Sequence, residues 1–306
     1  MISGASGRKR VQPTDLERIN VPLPSLLVQR AFVEHWQESR KAINEAGDSI
    51  VRIKKSVSAD FVDALGLKMP NEASNQRTFA VWWKDFLRWS VSYSKAILNS
   101  VDLTQGKYPV VKLGSILDMV QYGTSEKANT NGLGTPVVRM NNIVDGELDL
   151  TDLKYVKLSE KETLNLTLRD GDILFNRTNS KELVGKCAVF HKERQFVFAS
   201  YLIRVRTTPE KANPDYVAFF INSPLGRQQI DAISRSIIGQ ANVNSEELRD
   251  LDIPLPPLSV QEAIMREVAK GRERIAHEQE TVANRSANVT REVEEMILGQ
   301  RIVAST

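Results

Sequence analysis

Three segments of this 306-residue chain carry side chains of the kind that read DNA base edges. The first is Gln121-Tyr122-Gly123-Thr124-Ser125, running on to Asn129-Thr130-Asn131-Gly132. The second is Arg139-Met140-Asn141-Asn142, and the third is Asn176-Arg177-Thr178-Asn179-Ser180-Lys181. Asn and Gln can pair bidentately with adenine and Arg with guanine, while Ser, Thr and Lys reach phosphates or bases. The same residue types also build turns, so their chemistry alone leaves both readings open. Charge narrows the mode of binding. The formal net charge is +3, spread as +2 over residues 1–66, +3 over 67–107, and −1 each over 108–258 and 259–306. A non-specific nucleic-acid binder carries a strongly basic footprint, which this chain lacks. DNA binding would therefore work through local loops, with basic partners alongside.

Motifs for bond-making chemistry are missing or have a simpler reading. Asn213-Pro214-Asp215-Tyr216 resembles the Asn-Pro-Pro-Tyr motif of amino-methyltransferases, but Asp stands third and no Gly-rich strand-turn precedes it. A helix opened by Pro accounts for it as well. Gly185-Lys186 runs into Cys187 and is no phosphate loop. No Glu is followed two residues later by Lys, so the common nuclease centre is not visible, and no Ser/His/Asp assembly stands out. His35, His191, His277 and the single Cys187 have no zinc-ligand spacing. These features point to a binding module that is not an enzyme, with no metal and no cofactor of its own.

The composition is 41% hydrophobic and 26% charged, which is globular. One cysteine excludes an intramolecular disulfide framework. No 18-residue apolar run predicts a membrane helix, and Arg8-Lys9-Arg10 lacks the apolar stretch of a signal peptide, so the expected location is cytoplasmic.

The elements that must hold the three loops are legible as an α+β domain over residues 108–258. Strand-like runs are Val110-Val111, Pro136–Met140, Asp172–Phe175, Lys186–Phe190 and Phe196–Phe198. Tyr201–Arg206 alternates apolar and charged, as a half-buried strand does. Residues 214–236 read as helical with a break near Pro224. Around this domain lies an internal repeat at a constant offset of 232. Leu16-Glu-Arg-Ile-Asn-Val-Pro-Leu-Pro-Ser-Leu-Leu-Val-Gln29 matches Leu248-Arg-Asp-Leu-Asp-Ile-Pro-Leu-Pro-Pro-Leu-Ser-Val-Gln261. Each copy runs from a strand-like stretch through Pro-Leu-Pro into a long helix, about 25–66 and 259–300. Phe32, Trp36, Ser39, Ile43, Ala46, Ile50, Ile53 and Val57 recur at spacings alternating four and three, and Val268, Ile275, Val282, Val289 and Met296 recur every seven. Such narrow seams must pack on a partner helix. They predict an antiparallel coiled coil with Trp36, Ile43 and Ile50 facing Val282, Ile275 and Val268. Lys68–Asn71 is expected to break the first helix at Pro70. The connector, residues 67–107, holds Trp82, Trp83 and Trp89, read as packing anchors.

The paired Pro-Leu-Pro helix starts, Val138–Ile143, Gly171–Ser180 and Leu183–Lys186 together resemble the specificity (S) subunit of type I restriction-modification enzymes. The resemblance covers nearly the whole chain. It implies a non-catalytic subunit whose target-recognition domain, 108–258, reads one half of a bipartite site in double-stranded DNA. The implied readers are Tyr122, Thr124, Arg139, Asn141, Asn142, Asn176, Arg177, Asn179, Ser180 and Lys181. Long spacer helices, 25–66 and 259–306, would dock adenine methyltransferase (M) subunits, which hold S-adenosylmethionine, and restriction (R) subunits would join. The chain departs from the family's two-domain pattern, since residues 1–24 resemble only the end of a preceding recognition domain. A homodimer, or pairing with a complementary half subunit, would restore two domains. The alternatives are an adenine methyltransferase-like enzyme and an inert truncated scaffold.

Overall fold

The structure is a computed structural model that describes residues 13–19, 22–69, 100–237, 240–298 and 300. The Trp-rich connector, with Trp82, Trp83 and Trp89, lies outside the described residues, as does most of the segment 1–24. In chain order come α1 (Pro13–Leu16), α2 (Leu26–Ala64), β1 (Val110–Lys112), β2 (Leu117–Tyr122), β3 (Thr135–Val138), β4 (Ile143–Val144), β5 (Glu147–Leu148) and β6 (Lys154–Val156). Then follow α3 (Glu160–Leu166), β7 (Asp172–Asn176), β8 (Thr178–Asn179), β9 (Cys187–Phe190), β10 (Val197–Phe198), β11 (Leu202–Thr207), α4 (Pro214–Asn222) and α5 (Pro224–Ile233). The chain ends with β12 (Arg235–Ile237), β13 (Gln240–Asn242), α6 (Ser245–Arg249), β14 (Asp252–Pro254) and α7 (Leu258–Ile297). The fold is mixed α and β with long helices toward both ends, as expected. It divides into two compact units, residues 55–270 and residues 1–54 with 271–306.

The first unit is built on a four-stranded sheet in the order β2-β11-β7-β9, antiparallel throughout. All five residues of β7 are buried, because both faces of the sheet are covered. Alternation along the strand sends Ile173 and Phe175 to one core and Leu174 to the other. One core holds α4 and α5 through Tyr216, Phe220 and Leu225, together with Phe61 and Leu65 of α2 and Ile264 and Val268 of α7. The other holds β3, β10, Leu166 at the end of α3 and Leu168 just after it.

Strand β11 departs from the sequence reading. It is not half-buried: Arg204 lies inside the second core, only 3% exposed. Its guanidinium donates to the carbonyls of Thr167 (2.7 Å) and Asn165 (3.0 Å) and to the Gln121 side chain, and it sits 3.5 Å from the Asp172 carboxylate. Arg206 grips the same fully buried carboxylate through Nε at 2.8 Å and Nη2 at 2.9 Å. A buried charge persists only with such partners.

The domain is closed by its own ends. β1 pairs antiparallel with β14, Val111 opposite Ile253, and the pairing extends through Leu113 N–H to Leu251 O and Leu255 N–H to Pro109 O, both 2.8 Å. Helix α2 stops before the expected break at Pro70. Gly66, at φ +72°, ends it: the Gly66 amide donates to Asp63 O and the Leu67 amide to Val62 O. This pair of bonds satisfies the last carbonyls and needs a residue free to be left-handed.

In the second unit the N-terminal part of α2 and the C-terminal part of α7 run antiparallel. His35 Nε2 meets Glu292 Oε2 at 2.6 Å, and Ser49 Oγ donates to Glu278 Oε1 at 3.1 Å. Fourteen residues along one helix thus match fourteen back along the other. This register differs from the expected one by nine residues, about two and a half turns. Ile43 lies with Val282 and Arg285 instead of opposite Ile275. Ser39 and Ile53 are the most buried α2 residues of this expected seam, while Trp36 is 41% exposed with Arg40 stacked 4.9 Å over its ring.

Candidate nucleic-acid interface

Side chains suited to base reading gather at one edge of the β7-centred sheet. β2 ends at Tyr122, and the next residue, Gly123, passes so close to β10 that a Cβ there would sit 2.3 Å from Phe198 O. Only glycine allows that approach. It lets Thr124 bridge to Ala199, with Thr124 N–H donating to Phe198 O and Ser200 N–H to Thr124 O. From the centre of the sheet Arg177 emerges directly after β7. Its amide donates to Tyr201 O, its carbonyl accepts from Val243 N–H, and its guanidinium lies 4.9 Å over the Tyr122 ring. The Tyr122 hydroxyl accepts from Ser245 N–H at 3.0 Å, which ties in the start of α6. β8 pairs with β13, and Thr178 Oγ1 donates to Asn242 Oδ1. Finally Asn179 Nδ2 lies 3.4 Å from Met140 Sδ, drawing the 139–142 turn to the same edge. The structure therefore brings together Tyr122 and Thr124 of the first segment with the second and third segments, while Asn129, in the continuation of the first, pairs with Tyr155 of β6.

Individual residues divide sharply. Asn141 and Lys181 are exposed, Tyr122 is 40% exposed, and Thr124, Arg177, Asn179 and Ser180 are half-buried at the edge. Asn142 and Asn176 correct the sequence reading. Asn142 is buried: its Oδ1 accepts from Arg139 N–H, and its Nδ2 donates to Asp149 O and Asp152 O, closing the turn from within. Asn176 is the last residue of buried β7 and donates to Leu183 O. Both amides face the fold, so neither is presented to a base. The Arg139 guanidinium is engaged by the Asp152 carboxylate at 3.0 Å and by its carbonyl at 2.9 Å.

Sequence reasoning missed Tyr201, which is 51% exposed beside Arg177. The signal was present: Tyr201 stands just before β11, where an apolar ring has no core to enter. It also missed Ser245, which carries no distinctive type.

Arg177 Nε is buried with no hydrogen-bond partner among the described residues. Leaving such a donor unmet costs about 1–3 kcal/mol, which an incoming acceptor would recover. The Asn213-Pro214-Asp215-Tyr216 segment has a structural role. The Asn213 side chain caps α4 by accepting from the Asp215 and Tyr216 amides, and the buried Tyr216 hydroxyl donates to Pro254 O at 2.6 Å.

The two copies of the repeat share one device. Gln29 Nε2 donates to Pro24 O and Gln261 Nε2 to Pro256 O, each at 2.7 Å. Among the described residues no helix is long and apolar enough to cross a membrane.

Comparison with known proteins agrees with this architecture. Residues 105–280 match the model of the type I restriction modification DNA specificity domain. The chain is similar to the EcoKI specificity subunit of Escherichia coli, 25% identical over 270 residues, covering 87% of this chain and 53% of that protein. It is also similar to the StySPI specificity subunit of Salmonella potsdam, 22% identical over 276 residues, with 87% and 53% covered. It thus spans about half the length of these curated relatives. A solved structure from a study of assembly and conformational transition in the type I R-M system shares the fold, with a TM-score of 0.57 at 14% identity, covering 96% of this chain and 65% of that one. By the family model, which spans more than half of its length, this chain belongs to the type I restriction modification DNA specificity family.

Proposed function

We propose that this chain is a non-catalytic DNA-specificity subunit that reads one half-site of double-stranded DNA through the loop edge around Arg177. The observation that carries this reading is the convergence of residues 122–124, 139–142, 177–181, 199–201 and 242–245 on one edge, with Arg177 stacked on Tyr122 and its Nε unmet. Arg177 is held there as a planar donor, the geometry that suits a guanine edge. Tyr201, Asn141, Asn179 and Lys181 flank it with an aromatic face, two amides and a charge. The likeness to specificity subunits extends the reading to partners: M subunits carrying S-adenosylmethionine, with R subunits joining, in the cytoplasm. The spacer helices supply the surface for M.

The test is methylome sequencing of cells carrying this gene with its methyltransferase partner. Arg177→Ala should cost about 1–3 kcal/mol of half-site binding and relax the target at one base position. Unchanged affinity and target for both Arg177→Ala and Tyr201→Ala would remove this edge from the interface.

A further inference from the structure

Against the 139–142 turn packs a second turn, residues 149–152, and it brings an acid to the loop edge. Thr151 donates through N–H (3.0 Å) and Oγ1 (2.7 Å) to Asp149 Oδ1, and Asp149 N–H donates to Asn142 O at 2.8 Å. The buried Asn142 amide donates to Asp149 O at 2.8 Å and to Asp152 O at 3.0 Å. Arg139 completes the arrangement from a single nitrogen: Nη2 donates to Asp152 O at 2.9 Å and to Asp152 Oδ2 at 3.0 Å. Asp152 is thus held at its carbonyl and at one carboxylate oxygen. Its side chain is nevertheless 82% exposed, against 17% for Arg139. An ion pair so open to water contributes little to stability. Asn142 already ties both carbonyls of the turn, so closing the turn does not require the carboxylate. The pair fixes that carboxylate outward at the edge where Met140 meets Asn179.

A carboxylate on a DNA-facing edge is repelled by the phosphates and is favourable only where it meets a donor. The major groove offers donors on exocyclic amines alone, and an acid pairs with the N4 amine of cytosine. An arginine suits the guanine of the same pair, through O6 and N7. We infer that Asp152 is a specificity-determining residue: its outer carboxylate oxygen accepts from the N4 amine of one cytosine, and Arg139 beside it faces the paired guanine. Together the two side chains read one C·G pair, at a position other than that of Arg177. Arg139 keeps a donor for this task. Both of its bonds leave from Nη2 and its Nε is buried without a partner among the described residues, so Nη1 remains. Fixing the carboxylate before DNA arrives spares the entropy of ordering it on binding. The inference rests on the reading that this edge faces DNA, and it adds the base pair that a second part of the edge selects.

The test uses this chain assembled with its methyltransferase partner, on duplexes carrying the target found by methylome sequencing. Each cytosine of the half-site is replaced in turn by a 2-pyrimidinone nucleotide, which lacks the N4 amine. Removing the amine also weakens the base pair, an effect common to every protein bound there, so the same series is run with Asp152→Ala. At one cytosine the wild-type complex should lose about tenfold more affinity than the Asp152→Ala complex. Asp152→Asn keeps an oxygen for Arg139 and adds a donor, so it should move the methylated target at that position from cytosine toward adenine. A residue that only closes a turn would produce neither response. A half-site without a C·G pair, equal losses for wild type and Asp152→Ala at every cytosine, or an unchanged target for Asp152→Asn overturns the inference. Arg177→Ala separates this outcome from failure of the parent reading. A target relaxed by Arg177→Ala and untouched by Asp152→Ala leaves the edge on DNA and removes Asp152 from the readers. No response to either variant removes the edge itself.

Discussion

The unit of residues 55–270 and the unit formed by residues 1–54 with 271–306 secure their order by different means. In the first, Ile173, Leu174 and Phe175 are fully buried on a sheet packed from both faces, and even the charged pair Asp172–Arg204 is sealed inside. In the second, two helices meet along a narrow seam. From Ile275 to Met296 none of its α7 residues is fully buried, and polar bridges such as His35–Glu292 set the register. The lesson is that the domain can hold a loop edge rigid on its own account, whereas the helix pair depends on what covers its outer faces. Burial of apolar area stabilises roughly in proportion to the area removed from water, and the helix pair removes little per residue.

Four experiments would break or sharpen that contrast. The largest effect should come from Asp172→Ala. It leaves Arg204 buried without its carboxylate and should cost the domain about 3–5 kcal/mol, measured as a shift in the denaturant midpoint. A shift under 1 kcal/mol would show that the interior is far wetter than the packing implies. Next, Gln261→Ala removes three buried bonds, from Nε2 to Pro256 O and Lys211 O and from the Asn213 amide to Oε1. It should cost about 2–3 kcal/mol, against less than about 1 kcal/mol for Gln29→Ala. Equal costs would mean that the two copies of the repeat are equivalent after all. Third, Ile43→Lys places an ammonium beside Val282, worth about 1–3 kcal/mol to the helix pair. Hydrogen exchange should accelerate over residues 30–50 and 275–295 while β7 stays protected. Acceleration across β7 as well would make the two units one cooperative block.

The smallest effect concerns pH. Burial works against protonation of His191, but the bond from Nδ1 to Asp170 (2.8 Å) and contacts from Nε2 to Asp215 (3.2 Å) outweigh it, so its pKa is raised above the ordinary 6.5. A raised folded-state pKa adds stability that is fully present below the unfolded value and lost as pH rises through the folded one. The domain should therefore lose a little stability as pH climbs from about 6 through that raised value, and His191→Ala should flatten this slope. An unchanged slope in the variant would assign the dependence elsewhere.

Much of this architecture was legible in the sequence. The strands over 110–112, 172–176, 187–190 and 202–207 follow from apolar runs between turns, and the paired helix starts follow from the repeated Pro-Leu-Pro. Asn142 and Asn176 were misread because an amide that closes a turn and one that reads adenine are the same chemical group. Only the depth of β7 and the closure of the 139–142 turn tell them apart. The register of the helix pair was misread because two seven-residue columns can be aligned at more than one offset, and bridges such as His35–Glu292 and Ser49–Glu278 select among them. Trp36, read as a seam residue, lies outside with Arg40 over its ring. Arg204 escaped notice because its neutralising partners, Asp172 and Gln121, come from other strands.

The pairing of β1 with β14 has a consequence for heredity. Paired strands lie about 4.8 Å apart, so the polypeptide enters and leaves the domain at neighbouring points. A crossover in the coding sequence near residue 109 and another near residue 255 would exchange the whole domain as a cassette and leave both long helices intact. A lineage could then acquire a new DNA address in one recombination event, without waiting for point mutations to rebuild the old one.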